Sequence, residues 1–259
     1  MSSIPRRSVR VASGWLVFFG LLAAGPLWTL ASGRVPIHGD WRNATHRASG
    51  LAPEAQAHPE AVVQVYAARV FGWRGAFAVH TWLAAKPANA SRYTRYEVIG
   101  WRSGADGSVV WVTDTRAADE EWYGAAPSLL ADARGAQAER IIARLPAAVA
   151  SYPFPTRYRM WPGPNSNTFT AHLAREIPEL RLTLPSTAIG KDYLPLSRIV
   201  SRTPSGTGYQ LSLLGVLGAA LGADEGLEVN VLGFVFGVDP SHAAVKLPGI
   251  GRLPERTAL

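Results

Sequence analysis

The sequence predicts an α+β protein in which an N-terminal transmembrane helix precedes an antiparallel-sheet domain with a few helices. Three observations support this fold class. A long apolar stretch follows several arginines near the N-terminus, many short segments alternate between apolar and polar residues, and proline (19) and glycine (25) are frequent. Alternation is typical of strands, and frequent prolines and glycines favour short elements joined by turns.

The composition limits the classes of function. Hydrophobic residues make up 47% of the 259 residues and charged residues 17%, which is below the roughly 25% of typical soluble proteins. The net charge of +7 is spread along the chain without a long basic run, so we expect no nucleic-acid partner. The chain contains no cysteine, which excludes disulfides and a cysteine nucleophile. No residue spacing indicates a metal site or a phosphate-binding loop, so we expect no metal and no cofactor.

The N-terminal segment has the properties of a membrane anchor. Residues 11–31 carry no charge, and a stretch of this length can cross the roughly 30 Å hydrocarbon layer of a bilayer. A cleaved signal peptide is the alternative, but the apolar run is longer than usual for one and no clean cleavage site follows it. The lipid bilayer is therefore the predicted partner of this segment.

Charged residues around this segment predict its orientation. Arg6, Arg7 and Arg10 precede it, and only Arg34 follows shortly after it. By the positive-inside rule, residues 1–10 are predicted to be cytoplasmic. The sequence thus predicts a single-pass protein of the bacterial inner membrane whose remaining chain is periplasmic or otherwise extracytoplasmic.

The rest of the chain divides into two predicted regions. Residues 32–60 are polar and contain three prolines, and they are predicted to be a linker. Residues 61–259 are predicted to form the extracytoplasmic α+β domain. Its last third is apolar and rich in glycine, and the segments 212–221 and 229–238 are too short to span a bilayer as helices. Buried strands are the favoured interpretation of these segments, and a membrane-adjacent surface is the alternative.

Alternating residues predict four strands in the first half of this domain. The predicted strands are residues 61–70, 76–85, 93–102 and 108–113. Residues 86–91 join the second and third strands in a hairpin, so we expect an antiparallel meander.

Two helices are predicted after the meander. Residues 128–145 are rich in helix-forming residues and precede Pro146, and residues 167–175 have helical apolar spacing and precede Pro178.

Two polar residues of the predicted hairpin could act together. If the loop pairs Ala85 with Arg92, Glu97 lies directly opposite His80, at a Cβ separation of about 5 Å. A carboxylate beside a histidine can fix its tautomer and raise its basicity, as a general base requires.

Ser166 is the candidate nucleophile, because it stands where a turn enters the second predicted helix. Free N–H groups at a helix N-terminus could stabilise an oxyanion there. Helix capping by Ser166 or Asn167 is the favoured alternative.

Several long strings resemble a bacterial family catalogued as domain of unknown function 3750. They include WPGPNSNTF, LPSTAIGKDY and GLEVNVLGFVFGVD, and the resemblance extends over about residues 62–252. This resemblance implies a conserved unit but no known reaction.

A more distant resemblance is to permuted papain-like hydrolases of the NlpC-like group. In that group a histidine on an early strand and a polar residue on the next strand precede a nucleophile at a helix start. His80, Glu97, Asn165 and Ser166 follow this order, with serine in the position of the cysteine. The resemblance implies hydrolysis or acyl transfer at an amide or ester of a cell-envelope substrate, such as a peptidoglycan peptide or a lipid. A serine there requires the histidine to act as a true base.

Residues near this arrangement are predicted to bind the substrate. They are Trp82, Trp161, Asn167, Lys191 and Asp192. The alternative to catalysis is a noncatalytic binding or scaffolding protein of the envelope built on the same scaffold.

Overall fold

The computed structural model describes residues 6–102, 104 and 106–254. The ends of the predicted cytoplasmic segment and of the predicted domain, residues 1–5 and 255–259, lie outside these ranges. Within the described residues the chain forms three α-helices and two antiparallel sheets. The mixed α+β class with an N-terminal helix is therefore confirmed, whereas a permuted papain-like arrangement is not shown.

The helices are α1 (Arg6–Ala31), α2 (Gly135–Ala150) and α3 (Ser166–Glu176). The strands of the first sheet are β1 (Val62–Arg69), β2 (Val79–Lys86), β3 (Thr94–Val98), β4 (Val110–Thr113) and β5 (Ser128–Arg134). Their order is β4-β3-β2-β1-β5. The strands of the second sheet are β6 (Val200–Arg202), β7 (Gly208–Leu213), β8 (Leu217–Gly222), β9 (Gly226–Val231), β10 (Phe234–Asp239), β11 (Ala244–Leu247) and β12 (Gly251–Leu253). They follow one another in chain order across that sheet.

The two faces of the first sheet are buried against different partners. Successive side chains of a strand point to opposite faces. In β2, Val79 and Leu83 pack with α2 and α3 in the larger core. Trp82 and Ala84 point the other way, into a second cluster that includes Trp122. A side chain of β2 therefore faces either α3 or this second cluster.

The predicted meander is confirmed, but its register differs by two residues. Ala85 pairs with Thr94 instead of Arg92. Because the side-chain period of a strand is two, this shift keeps every residue on its predicted face. His80 and Glu97 therefore still share a face, as diagonal rather than directly opposed neighbours.

The helix predicted over residues 128–145 is wrong at both ends. Residues 128–134 form β5, which pairs with β1 as an edge strand. The helix that follows continues past Pro146 to Ala150. Pairing with β1 outweighs the helix propensity of the alanines and leucines in β5, because strand formation depends on tertiary context more than on local preference.

The segment predicted as a linker makes specific contacts with the first sheet and with the loops beside it. Ala48 forms an isolated bridge with Glu120. The Tyr93 hydroxyl donates a hydrogen bond to the Pro53 carbonyl, and the ammonium group of Lys86 donates to the carbonyls at residues 58 and 60. These contacts hold residues 48–60 over the sheet face that carries Trp82.

The prediction of buried strands in the last third is wrong in two respects. Each predicted strand contains a turn, since β7 and β8 share residues 212–221 and β9 and β10 share residues 229–238. The strands are also not buried on both sides. Their inward side chains are mainly polar, whereas Leu221 is 66% exposed on the outer face.

Helix α1 is long and apolar enough to cross a membrane, and Ser13–Ala31 has a mean hydropathy of 1.6. One side of its C-terminal half packs on the rest of the chain. Leu22 and Thr29 are buried there, and the Thr29 hydroxyl donates a hydrogen bond to the Gly249 carbonyl in the turn between β11 and β12.

Gly25 allows this close packing, and its replacement provides a test. A Cβ at Gly25 would overlap the Pro248 carbonyl oxygen, whereas a Cβ at Gly20 has open space around it. We expect Gly25→Ala to lower the free energy of unfolding by about 1–3 kcal/mol, the usual cost of overpacking. Gly20→Ala is the matched control and should leave stability unchanged or raise it by up to about 1 kcal/mol. Denaturant unfolding of the full chain in detergent would compare the two, and equal effects would contradict the close packing.

Candidate functional site

His80 and Glu97 form a buried pair on the first sheet. His80 lies in β2 and Glu97 in β3, and the His80 Nε2 atom is 2.9 Å from the Glu97 Oε2 atom. The side chains are 5% and 0% exposed. The sequence prediction that these residues meet is therefore matched by the geometry, although through a different register.

Two arginines that sequence reasoning missed complete this cluster. Arg95 donates to Glu97 Oε2 at 3.1 Å, and Arg116 approaches Glu97 Oε1 at 3.3 Å. Arg116 also pairs with Glu120 at 2.6 Å. The spacing of Arg95 and Glu97, two residues apart on one strand, is a signal that would have placed both on one face.

The His80 ring is enclosed by tryptophans. It stacks on Trp122 with a centroid distance of 3.6 Å and lies 5.8 Å from the Trp82 ring. Burial lowers the pKa of His80, although the hydrogen bond that His80 donates to Glu97 acts in the opposite direction. Burial alone would raise the pKa of Glu97, but His80 and Arg95 lower it to about 2. The pair thus consists of a neutral imidazole and a carboxylate near neutral pH.

These pKa shifts predict how stability depends on pH. Because the pKa of His80 is lower in the folded than in the unfolded protein, the unfolded state binds the proton first as the pH falls below about 6.5. This histidine should therefore reduce the free energy of unfolding by up to about 1.4 kcal/mol per pH unit below that value. Glu97 adds a similar loss from about pH 4.5 toward its folded pKa of about 2.

The difference between the wild type and His80→Gln isolates the contribution of this histidine. Denaturant unfolding of both proteins at several pH values from about 5 to about 7 would measure this difference, because the range includes the ordinary histidine pKa of about 6.5. The slope should be smaller in the variant, and equal slopes would contradict the assignment to His80.

Ser166 does not join this pair. It is the first residue of α3, and α3 packs on the face of β2 that carries Val79 and Leu83. Between them, the Thr81 hydroxyl donates a hydrogen bond to Asn167 of α3 and lies 3.0 Å from the hydroxyl of Thr170. His80 points to the opposite face, so the sheet separates its ring from Ser166. The described residues thus do not assemble the predicted arrangement of serine, histidine and glutamate.

The asparagines next to Ser166 have structural partners. Asn165 is the N-cap of α3, and its side chain accepts hydrogen bonds from the backbone N–H groups of Asn167 and Thr168. The sequence indicates Ser166 or Asn167 as the cap of this helix, but the N-cap is Asn165. The side-chain amides of Asn165 and Asn167 both donate to the carbonyl of Ile189. The segment WPGPNSNTF, which contains Ser166, therefore packs against the segment LPSTAIGKDY, which contains Gly190.

Lys191 and Asp192 face the second sheet. Glu228 of β9 lies 2.7 Å from the Lys191 ammonium group and 2.5 Å from that of Lys246. Asp192 accepts a hydrogen bond of 2.6 Å from Asn230. These residues join the loop after α3 to the second sheet, so they do not line a cleft with His80.

The two predicted tryptophans lie in different places. Trp82 is fully buried and donates to the Ala118 carbonyl at 2.7 Å. Trp161 is 52% exposed and donates to the Leu232 carbonyl at 2.9 Å. They therefore do not form one aromatic binding surface.

An open groove of about 470 Å³ lies beside the cluster around Glu97. Its lining residues include Arg92, Tyr93, Asp114 and Arg116. Among the residues that the structure describes, no group of three or more metal-ligating side chains could hold a metal ion.

One protein family matches part of this chain. The family described as "Protein of unknown function (DUF3750)" matches residues 60–193. The chain belongs to the DUF3750 family. No curated protein and no solved structure matches the chain.

The DUF3750 match covers the first sheet, α2, α3 and the loop that ends with Tyr193. It therefore contains the pair of His80 and Glu97 and the two segments that pack against each other. The second sheet lies beyond the matched DUF3750 residues, although the resemblance was expected to extend to about residue 252. Glu228 thus pairs with Lys191 across the boundary of the match.

Proposed function

We propose that this protein is a membrane-anchored binding or scaffolding protein of the bacterial cell envelope that does not catalyse hydrolysis. The observation that carries this proposal is the position of Ser166 and His80 on opposite faces of β2. A base must come within hydrogen-bond reach of the proton that it removes. A rotation of either side chain cannot bring the imidazole through the sheet.

The contacts of the neighbouring residues support a structural role. Asn165 and Asn167 use their side chains to join α3 to the loop near Ile189. Lys191 is engaged by Glu228. An active site keeps some of its polar groups available for the substrate, whereas these are satisfied by the protein itself.

The test of noncatalysis is labelling of the purified full chain with a fluorophosphonate probe, which reacts with activated serines. We expect no covalent label on Ser166. The matched control is Ser151→Ala, because Ser151 is another serine that lies beside a histidine, with 3.1 Å between its hydroxyl and His172 Nε2. Labelling that is lost in Ser166→Ala but kept in Ser151→Ala would overturn the proposal and support a hydrolase.

The open groove is the proposed binding surface. It presents the exposed guanidinium group of Arg92, and its wall includes Arg116, which is already bound by Glu97 and Glu120. Guanidinium groups bind carboxylates through paired hydrogen bonds, so an acidic ligand such as a peptidoglycan peptide fits it. Co-sedimentation of the full chain with peptidoglycan should be reduced by Arg92→Ala, and it should be unchanged by Arg47→Ala, whose side chain is 77% exposed in the segment that packs over the sheet. Equal sedimentation of the two variants would argue against the groove.

The proposed location in the envelope depends on orientation. Three arginines precede the apolar stretch and one follows shortly after it, which favours a cytoplasmic N-terminus. Alkaline phosphatase fused after Leu259 should therefore be active. Activity only of a reporter that needs the cytoplasm would reverse the orientation and exclude an envelope ligand.

A further inference from the structure

The second sheet has the reverse of the usual polarity. In water, an antiparallel sheet places apolar side chains toward the core and polar side chains toward solvent. Here Gln210, Glu228, Asn230 and Lys246 are buried on the inner face, each at most 5% exposed. The alternate residues of the same strands are apolar and exposed. Strands with an apolar outer face and a polar inner face are typical of proteins whose sheets contact lipid.

The exposed residues form a continuous apolar surface, which we call the outer face. Residue pairing places one residue from each of six neighbouring strands in a single row. This row consists of Tyr209, Leu221, Leu227, Val238, Val245 and Leu253. With strands about 4.8 Å apart, it extends about 24 Å across the sheet. Every residue in the row is at least 38% exposed.

A second row continues the outer face. Leu211, Ala219, Val229 and Phe236 are neighbours on β7 to β10. Neither row contains a charged residue. On the edge strand β6, the exposed Arg202 pairs with Tyr209 at the end of the first row, and its guanidinium group lies 5.5 Å from the Tyr209 ring. The two rows themselves therefore lack ionic groups, and this cation lies at their rim.

Helix α1 lies beside one end of the second sheet. The Phe234 ring of β10 lies 6.1 Å from the Phe77 ring, which follows the short 3-10 turn that contacts α1. Thr29 of α1 bonds to Gly249 between β11 and β12. Leu21 and Leu27, on other sides of α1, are 62% and 60% exposed. Helix α1, with these exposed leucines, therefore contacts the second sheet at the turn between β11 and β12.

The position of the contact along α1 sets the depth of the sheet. Gly25 packs against Pro248, six residues before the end of the apolar helix at Ala31. At 1.5 Å per residue, this contact lies about 9 Å below the end of the helix. If the apolar helix fills the hydrocarbon layer, the turn at Pro248 lies at the depth to which proteins on a membrane surface bury their apolar side chains, roughly 5–10 Å.

We propose that the outer face of the second sheet lies on the bilayer beside α1, with its apolar side chains in the acyl chains of the adjoining leaflet. The sheet does not cross the bilayer, because an open sheet would expose unpaired backbone groups to lipid at its edge strands β6 and β12. This inference rests on the membrane anchorage in the proposed function, but not on the absence of catalysis. A second copy of the chain is the competing occupant of the outer face.

Spin labels on single cysteines can test this placement. The chain contains no cysteine, so Val229→Cys, Leu21→Cys and Ser241→Cys each give one label on an otherwise native full chain. Leu21 is the reference for lipid, and Ser241, in the exposed turn before β11, is the reference for water. The labelled chains would be reconstituted in vesicles of phosphatidylethanolamine and phosphatidylglycerol. Power-saturation electron paramagnetic resonance then measures how often each spin label collides with oxygen, which is concentrated in lipid, and with a nickel chelate, which stays in water.

We expect the ratio of oxygen to nickel collisions at Val229 to be severalfold above that at Ser241 and to approach that at Leu21. A ratio at Val229 equal to that at Ser241, with Leu21 in lipid, would overturn the inference and leave the anchor intact. A ratio of oxygen to nickel collisions at Leu21 that equals the ratio at Ser241 would contradict both the membrane anchor and this inference. Dipolar broadening at Val229 that disappears on dilution with unlabelled chain would assign the outer face to a second copy and would also overturn it.

Discussion

Replacement of Glu97 by alanine is expected to lower the free energy of unfolding by about 3–5 kcal/mol, the usual cost of leaving a buried charge without its partner. Glu97 is fully buried and is shared by His80, Arg95 and Arg116. Arg95 is itself 0% exposed, so its guanidinium group would lose its carboxylate without gaining access to water.

Denaturant unfolding of the full chain in detergent, followed by tryptophan fluorescence, would measure this loss. Glu179→Ala is a suitable control, because Glu179 also pairs with an arginine but both side chains are at least 32% exposed. Exposed pairs contribute at most about 1 kcal/mol. Similar losses in the two variants would show that the cluster around Glu97 is accessible to solvent.

The second large effect is expected at Glu228, which binds Lys191 and Lys246. Burial alone would raise the pKa of Glu228, but the two ammonium groups hold it below its usual value. Glu228→Ala would leave two buried ammonium groups without a carboxylate and should also cost about 3–5 kcal/mol. Because Lys191 belongs to the DUF3750 region and Lys246 to β11, the variant should loosen the second sheet from the first.

Limited proteolysis would detect this loosening as faster cleavage between β6 and β12 than in the wild type. The triple variant Lys191→Met, Glu228→Leu and Lys246→Met should recover most of the lost stability, because apolar replacement of a whole buried ion cluster is often neutral or stabilising. A triple variant less stable than Glu228→Ala would contradict this account.

Periodicity explains what could be predicted from the sequence. The alternation of the early strands placed His80 and Glu97 on one face, and this conclusion survived a register error of two residues because the period of a strand is also two. The apolar stretch of α1 is equally visible, since composition alone defines it. These features depend on neighbouring residues in the chain.

Features that depend on distant residues were not predictable. Residues 128–134 have helix-forming composition and become a strand only because β1 offers them an edge. Ser166 stands at a helix start, as expected, but the face on which α3 packs is fixed by Thr81, Asn167 and the core behind them. The order of His80, Glu97 and Ser166 along the chain resembles that of a hydrolase. This order does not show on which face of the sheet each side chain lies.

The alternation in the second sheet could have been recognised from the sequence, but its direction could not. Leu227, Val229 and Val231 alternate with Glu228 and Asn230, so β9 has one apolar and one polar face. The interpretation of residues 229–238 as one buried strand left neither face to solvent. Only the buried contacts of Glu228 reveal that the polar face is the inner one.

The hydrogen bond between Thr29 and Gly249 joins residues that are 220 positions apart. Synthesis starts at the N-terminus, and at about 5–20 residues per second roughly 10–45 s pass between the emergence of these two residues from the ribosome. During this interval the buried side of α1, including Gly25, has neither the turn at Pro248 nor the second sheet beside it. Nascent chains therefore begin with a helix whose docking surface is unoccupied, and a surveillance protease or chaperone that recognises this surface could distinguish them from chains in which β11 and β12 have already folded.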